Sequence, residues 1–259
     1  MEGPCWDSKE QAIYCVSIEQ SLIYRLNTIS GEVTSYPTMG HVGCAVIDKE
    51  GMLLSAEKGG IYKINSKTKE RFFIAQFEED IRMRYNDGKM DPKGRFIIGT
   101  KGDKDNLPGK GKLFSYDGQN VKTLITGTTI SNGIGFSLKG DKMYFIDTPT
   151  KKVARYHYDL ETGEADFEGF VIVITGNGLP DGMCVDIDDN IWIAEWEGGQ
   201  VCKWNPETGL KLQEIKLPCA NVTSCCIGGE KLDYLYITTA KNDIKNELLA
   251  GGLFRIKIR

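Results

Sequence analysis

The sequence predicts an all-β protein, a six-bladed β-propeller with a metal site on its central axis. Three observations support this prediction. Short apolar segments recur six times at nearly even spacing, each is followed by a second, alternating segment, and no long amphipathic helical pattern interrupts them. In addition, polar motifs occupy the same phase in four of the six repeats.

The first set of segments gives the period of the repeat. Each segment is a short apolar run that follows a turn rich in Gly, Asp and Lys. The six segments are 11–16, 51–55, 94–99, 141–146, 190–194 and 232–237, and the marker residues Ile13, Leu53, Phe96, Met143, Ile191 and Leu235 are 40, 43, 47, 48 and 44 residues apart. This period is typical of a four-stranded propeller blade.

A partner segment follows each marker segment and alternates apolar with polar residues, as a half-buried antiparallel strand does. Turn signals such as Glu161-Thr162-Gly163 then lead into a further strand. We expect one helical turn at most, in 244–250. The partner segments are 22–26, 60–64, 112–116, 153–158, 200–204 and 253–258.

No Pro-, Gly- or Ser-rich linker divides the chain, so residues 1–259 are predicted to form a single domain. A β-sandwich or two small β domains are the alternatives, but the repeats continue without a change in composition. The first blade begins almost at Met1 and leaves little chain for a strand that would close the ring against the last blade.

Composition excludes several classes of function. The formal net charge is −4, whereas binding to nucleic acid or anionic membranes needs a basic face. No apolar stretch approaches the roughly 20 residues that span a bilayer, and residues 1–4 do not resemble a signal peptide. We therefore expect a cytoplasmic protein without nucleic-acid or membrane partners. We further expect a monomer or weak dimer.

Eight cysteines occur without any Cys-x-x-Cys pair, which argues against zinc knuckles and thioredoxin-type sites. Several lie in apolar strand contexts, such as Cys15 and the pair Cys225-Cys226. A small buried hydrophobe is the default for such positions, so we predict reduced thiols.

Histidine is scarce, since only His41 and His157 occur. A catalytic triad would have to use one of them, and imidazole-ligated zinc has little support. The sequence also lacks a phosphate-binding glycine loop and a dinucleotide fingerprint. Carboxylates and carboxamides remain, and these favour a hard, oxygen-ligated metal.

Four segments, 2–7, 84–88, 131–134 and 179–183, carry such groups, and we expect them to be loops ahead of the marker strands. The intervals to the markers are 11 from Glu2, 10 from Asn86, 11 from Asn132 and 10 from Asp181. Equal phase in a propeller means equal radius and height, so four blades would direct these side chains at one point on the axis. Each motif alone is also a common turn sequence; four in register favour a shared site.

Three blocks of sequence occur in a specific order. They are Arg-Tyr-Asn-Asp-Gly-Lys-Met-Asp-Pro-Lys-Gly-Arg at 84–95, Ser-Asn-Gly with Tyr-Phe-Ile-Asp-Thr at 131–133 and 144–148, and Pro-Asp-Gly-Met with Ile-Trp-Ile-Ala at 180–183 and 191–194. Together with a closing block at 223–240, they resemble the regucalcin/gluconolactonase/luciferin-regenerating enzyme family over nearly the whole chain.

The resemblance implies a function and a set of site residues. Glu2, Asn132 and Asp181 correspond to the family's metal ligands, for Ca²⁺ first and for Zn²⁺, Mn²⁺ or Mg²⁺ as alternatives. Arg84 and Asn86 correspond to its substrate contacts, and Asp181 would also be the general base. The implied reaction is hydrolysis of a sugar lactone, as in a gluconolactonase, to the aldonic acid.

Two departures from the family pattern affect these expectations. A substrate-contacting Glu of the family has no clear match shortly after Gly99-Thr100, although Asp103 and Asp105 lie nearby. Family members usually carry an extra strand before the Glu that corresponds to Glu2; without it, Glu2 would sit on a mobile terminus.

Rival hypotheses belong to other functional classes. One is a metal-dependent esterase or organophosphate hydrolase of the paraoxonase-like type. Another is a non-catalytic propeller that binds calcium or another ligand, or a scaffold that binds protein. A scaffold would not need oxygen ligands from four blades to converge on its axis.

Overall fold

The computed structural model describes residues 1–241 and 247–259 of the chain. Within them, antiparallel strands form six sheets, the blades of a six-bladed β-propeller. The strands of the first three blades are β1 (Glu2–Asp7), β2 (Ala12–Ser17), β3 (Leu22–Asn27) and β4 (Val33–Pro37); β5 (Val42–Ile47), β6 (Leu53–Glu57), β7 (Gly60–Ile64) and β8 (Arg71–Ala75); and β9 (Met83–Met90), β10 (Phe96–Gly102), β11 (Gly111–Tyr116) and β12 (Val121–Thr128).

The other three blades repeat this order from the inner to the outer strand. A single 3₁₀ turn, Thr148–Thr150, lies in the fourth blade, and no α-helix occurs in the described residues. The strands are β13 (Ser131–Phe136), β14 (Lys142–Asp147), β15 (Lys152–Tyr158) and β16 (Ala165–Val173); β17 (Leu179–Val185), β18 (Ile191–Trp196), β19 (Gln200–Trp204) and β20 (Lys211–Lys216); and β21 (Val222–Gly228), β22 (Tyr234–Thr239) and β23 (Leu253–Lys257).

The predicted repeat is confirmed at the level of individual strands. The six marker segments form the second strand of each blade, β2, β6, β10, β14, β18 and β22. The six partner segments form the third strand and pair with them antiparallel throughout. Of the predicted helical turn at 244–250, residues 244–246 lie outside the described part of the chain, and residues 248–250 form a turn.

The four polar segments are not loops, which corrects the sequence-based expectation. They form the innermost strands β1, β9, β13 and β17, around the central axis. Asn-Gly and Asp-Gly favour turns when only local sequence is considered. Here the glycines serve another purpose, because they let neighbouring inner strands approach each other closely.

The hydrophobic core lies between adjacent blades. Cys44, Leu54 and Ile61 of the second blade pack with Tyr85 and Phe96 of the third, and similar clusters fill the other interfaces. The second strands of the blades, such as β2 and β6, are buried on both faces, whereas an outer strand such as β20 is mostly exposed.

The last sheet has three strands among the described residues, and the ring closes through the first blade. Trp6 stacks on Tyr236 with ring centroids 5.6 Å apart, and the Thr223 hydroxyl donates a hydrogen bond of 2.8 Å to the carbonyl oxygen of Met1. Glu2 lies in β1, opposite Val16. The structure thus places Glu2 in a paired strand, not in the mobile terminus that the sequence predicts.

All eight cysteines are free in the structure, and all except Cys5 are buried, as predicted for small hydrophobic side chains. The sulfur atoms of Cys184 and Cys225 lie 3.7 Å apart without a disulfide bond. In the described part of the chain, no helix has the length and apolar character needed to cross a bilayer.

Candidate active site

Every inner strand has a shift of register relative to its neighbour, and all six shifts lie near the same level. These shifts shape the site. Each shift marks a β-bulge, where the inner strand has one residue more than the facing stretch of its neighbour. Such bulges redirect side chains and are common beside active sites. The shifts fall between Glu2 and Cys5, Val42 and Cys44, Tyr85 and Gly88, Asn132 and Ile134, Pro180 and Met183, and Val222 and Ser224.

Glycines at the bulges allow adjacent inner strands to touch. A β-carbon on Gly133 would lie 2.8 Å from the carbonyl oxygen of Asp181, and one on Gly182 would collide with Ser224 of the next blade. A β-carbon on Gly43 would collide with the backbone of Tyr85. The inner strands can therefore form a narrow ring around the axis only if these positions carry no side chain.

A cavity of about 1070 Å³ opens above this ring. Its walls include every residue that the sequence predicts to take part in the site: Glu2, Arg84, Asn86, Asn132 and Asp181. Arg84, Asn86, Asn132 and Asp181 are buried, and Glu2 is partly buried. The structure thus brings all five together, from four blades.

A chain of hydrogen bonds links Arg84 to the carboxamides of the site. Arg84 donates to Oδ1 of Asn86 at 2.8 Å, and Nδ2 of Asn86 donates to Oδ1 of Asn132 at 2.6 Å. Nδ2 of Asn132 donates to the Thr148 hydroxyl, which donates to the carbonyl oxygen of Pro180, each at 2.8 Å. These bonds fix the orientation of both carboxamides before any ligand arrives.

The two carboxylates of the site differ from the amides, because no described residue forms a hydrogen bond or an ion pair with Glu2 or Asp181 side-chain oxygens. Burial, together with the charge of Asp87, raises the pKa of Glu2 to about 7. Burial and the charge of Glu2 raise the pKa of Asp181 well above its usual range. Two neighbouring carboxylates that accept no hydrogen bond from the described residues form an anionic site that favours a cation or a proton.

The donor set has the chemistry of a hard cation site. Across the described residues, no group of three or more His, Cys, Asp and Glu side chains is placed to hold a metal ion. A metal here would combine two carboxylates, from Glu2 and Asp181, with the carboxamide oxygen of Asn132. Oxygen donors of these types suit Ca²⁺, Mg²⁺ or Mn²⁺, and a small protein donor set leaves coordination positions for water and substrate.

The structure adds residues that the sequence analysis missed. Thr148 and Lys101 line the cavity, as does Asn106 from the segment between β10 and β11. Thr148 belongs to a motif already recognised by resemblance, so that motif was the available signal. Lys101 had no such signal, because one lysine at the end of a strand is unremarkable in sequence.

Asp103 and Asp105, the acidic residues near the position of the missing Glu, do not line the cavity. The carboxylate of Asp103 instead binds Nδ1 of His41 at 2.8 Å and Nζ of Lys58 at 2.5 Å. It also lies 3.9 Å from Nε of Arg84. Asp103 therefore stands behind Arg84, at the side away from the cavity.

Comparison with known proteins defines the family. The model of the SMP-30/gluconolactonase/LRE-like region matches residues 1–241. The chain belongs to this family. It is 32% identical to regucalcin of Gallus gallus over 98% of this chain and 89% of that protein. Membership of the SMP-30/gluconolactonase/LRE-like family supports a lactonase-like function.

Two solved structures of this family share the fold closely. A luciferin-regenerating enzyme has a TM-score of 0.91 at 26% identity, with 99% of this chain and 90% of that chain covered. A regucalcin from Agrobacterium tumefaciens, described as a calcium-binding protein, has a TM-score of 0.92 at 26% identity, with 98% and 88% covered.

Proposed function

We propose that this protein is a metal-dependent hydrolase that opens a sugar lactone to the aldonic acid, as a gluconolactonase does. The observation that carries the proposal is the pair of carboxylates, Glu2 and Asp181, which line the cavity and accept no hydrogen bond from any described residue. Glu2, Asn132 and Asp181 would hold one divalent ion, with Ca²⁺ as the first expectation and Zn²⁺, Mn²⁺ or Mg²⁺ as alternatives.

When bound, the divalent ion supplies positive charge that polarises the lactone carbonyl and stabilises the oxyanion. The protein's own groups perform the proton transfers. Asp181 accepts a proton from the attacking water as the new bond forms between the water oxygen and the carbonyl carbon. It returns that proton to the ring oxygen as the bond between this oxygen and the carbonyl carbon breaks.

Arg84 and Asn86 would position the substrate. Their mutual hydrogen bond and the bond from Asn86 to Asn132 fix the polar groups on one wall of the cavity. Rigid donors of this kind lower the barrier by holding the reacting groups in place rather than by taking part in bond changes. This arrangement suits the hydroxyl groups of a sugar lactone.

A second candidate is a non-catalytic protein that binds calcium at the same ligands. The related protein from Agrobacterium tumefaciens, described as a calcium-binding protein, favours this alternative. A metal-dependent esterase acting on aryl esters or organophosphates would use the same groups with other substrates.

A matrix of substrates and metals separates these possibilities. Hydrolysis of gluconolactone, xylonolactone and galactonolactone would be measured with Ca²⁺, Mg²⁺, Mn²⁺ and Zn²⁺, beside an aryl ester and an organophosphate. We expect metal-dependent release of acid from at least one lactone. Calcium binding without any hydrolysis would support the non-catalytic alternative, and a preference for the aryl ester or the organophosphate would reject the lactonase.

A further inference from the structure

Two cationic side chains occupy facing positions on one wall of the cavity. Lys101 lies directly opposite Arg84 in the pairing of β10 with β9, and both residues line the cavity. Like charges at directly opposite positions of two antiparallel strands are destabilising. A pair of cations at this place therefore costs free energy of folding unless some other group offsets it.

The partners of the two cations differ. Arg84 donates to the Tyr85 carbonyl oxygen and to Asn86, and Asp103 lies beside its Nε. The ammonium group of Lys101 forms no hydrogen bond and no ion pair with any described residue, although the side chain is partly buried.

Comparable lysines elsewhere in the propeller are paired. Lys203 binds Asp186 at 2.7 Å, and Lys89 donates to the Met183 carbonyl oxygen at 3.0 Å. Lys101 differs from Lys203 and Lys89, because it lines a cavity and no described residue accepts a hydrogen bond from its ammonium.

The carboxylates of Glu2 and Asp181 act on Lys101 from across the cavity, but at more than ion-pair distance. In the proposed function these carboxylates hold a divalent ion, and their charge is then neutralised. Arg84 would keep Asp103 beside its Nε, and the ammonium of Lys101 would remain without an ion-pair partner among the described residues. Asn106, which also lines the cavity, adds an amide donor nearby.

We propose that Lys101, with Arg84 and Asn106, forms a subsite for an anionic group of the substrate, so that the preferred lactones carry a carboxylate or a phosphate. A carboxylate or phosphate oxygen accepts charge-assisted hydrogen bonds from ammonium and guanidinium donors, which are stronger than bonds between neutral groups. The proposal rests on the lactonase function and names its substrate class as acidic sugar lactones.

Steady-state kinetics test the proposal with three lactones of similar size. Glucarolactone carries a carboxylate, 6-phosphogluconolactone carries a phosphate, and gluconolactone is neutral. We expect kcat/KM to be higher for at least one of the two acidic lactones, and their comparison identifies which anion the subsite takes. Equal or higher kcat/KM for gluconolactone than for both acidic lactones would overturn the proposal.

Variants of Lys101 assign the preference to this subsite. Lys101→Met should lower the ratio of acidic to neutral kcat/KM by about 10- to 100-fold, the loss expected for one hydrogen bond between charged groups. Lys101→Arg should restore much of that ratio. Lys216→Met, at an exposed strand position, is the matched control and should leave the ratio unchanged. An unchanged ratio in Lys101→Met would also overturn the proposal.

A binding experiment distinguishes this inference from the lactonase function itself. Calorimetric titration of the Ca²⁺-saturated protein with glucarate, 6-phosphogluconate and gluconate requires no catalysis. We expect one of the two more highly charged acids to bind more tightly than gluconate, and Lys101→Met to remove the difference. If no lactone is hydrolysed but this difference is present, the lactonase proposal fails while the anion subsite stands; if the difference is absent, the subsite fails.

Discussion

Four blades contribute side chains to the site and two do not, but all six have the same backbone arrangement at the inner strand. Every inner strand has a register shift at nearly the same level. In the first, third, fourth and fifth blades the residue at this level is polar and lines the cavity. In the second and sixth blades it is Val42 and Val222, both fully buried in apolar clusters between blades.

This comparison separates two features of each blade: the bulged backbone of the inner strand and the side chain at the bulge. The bulge and the close approach of inner strands form a ring that all six blades need. The side chain at the bulge determines whether a blade contributes chemistry or packing. The site is therefore asymmetric although the scaffold is not, and substitutions at equivalent positions should have opposite kinds of effect.

The largest expected effect is at Asp181 in the fifth blade. Asp181→Asn keeps an oxygen donor but removes the basic group, so lactone hydrolysis should fall by about 10²–10⁴-fold. Metal affinity should fall only partly. Rates of hydrolysis and metal titration of the same variant check both parts, and Val222→Ala, at the equivalent level of the sixth blade, should keep its turnover. Hydrolysis by Asp181→Asn near the wild-type rate would contradict the proposed mechanism.

Removal of the metal tests the blades with a polar residue at the bulge, because Glu2, Asn132 and Asp181 are the proposed metal ligands. Chelation leaves the like charges of Glu2 and Asp181 close together without a divalent ion between them, so the melting temperature should drop and divalent ion should restore it. Saturation at about 100 times Kd corresponds to ~2.7 kcal/mol of stabilisation. A Glu2→Gln, Asp181→Asn double variant should lose this response. Identical melting curves of the wild type with chelator and with metal would remove the case for a metal.

Arg84 in the third blade should affect substrate but not metal. Arg84→Ala removes the donor that holds Oδ1 of Asn86, and kcat/KM should fall by about 10- to 100-fold, as expected for a lost hydrogen bond to a charged group. Metal affinity, measured by titration, should stay unchanged. Arg82→Ala, at an exposed residue paired with Asp80, is the control. Equal losses in the two variants would show that Arg84 has no specific contact.

Val42 in the second blade should show the opposite behaviour. Val42→Ala removes apolar volume from the cluster that contains Tyr14, Ala45 and Leu53, and unfolding free energy should fall by about 2 kcal/mol. Turnover of the folded protein should change little. Denaturant unfolding and kcat/KM on the same preparation measure both effects. A large loss of turnover without a loss of unfolding free energy would show that Val42 acts in the site.

The sequence by itself determined much of this protein. The repeat period gave the number of blades, and alternation within each segment placed the second and third strands almost to the residue. Equal phase among four motifs gathered Glu2, Asn86, Asn132 and Asp181 into one site. These features depend on local pattern and on the regular spacing of a repeated unit, both of which are visible along the chain.

Only the tertiary structure decided how the motifs are used. Local sequence favours turns at Asn132-Gly133 and Asp181-Gly182, but contact between neighbouring inner strands makes them bulged strands instead. The pairing of Lys101 with Arg84 depends on the register of one hairpin, which the bulge in β9 shifts. The contact of Asp103 with His41 joins two blades. Composition and spacing do not encode such contacts, because they arise from the bulge and from the packing of one blade against the next.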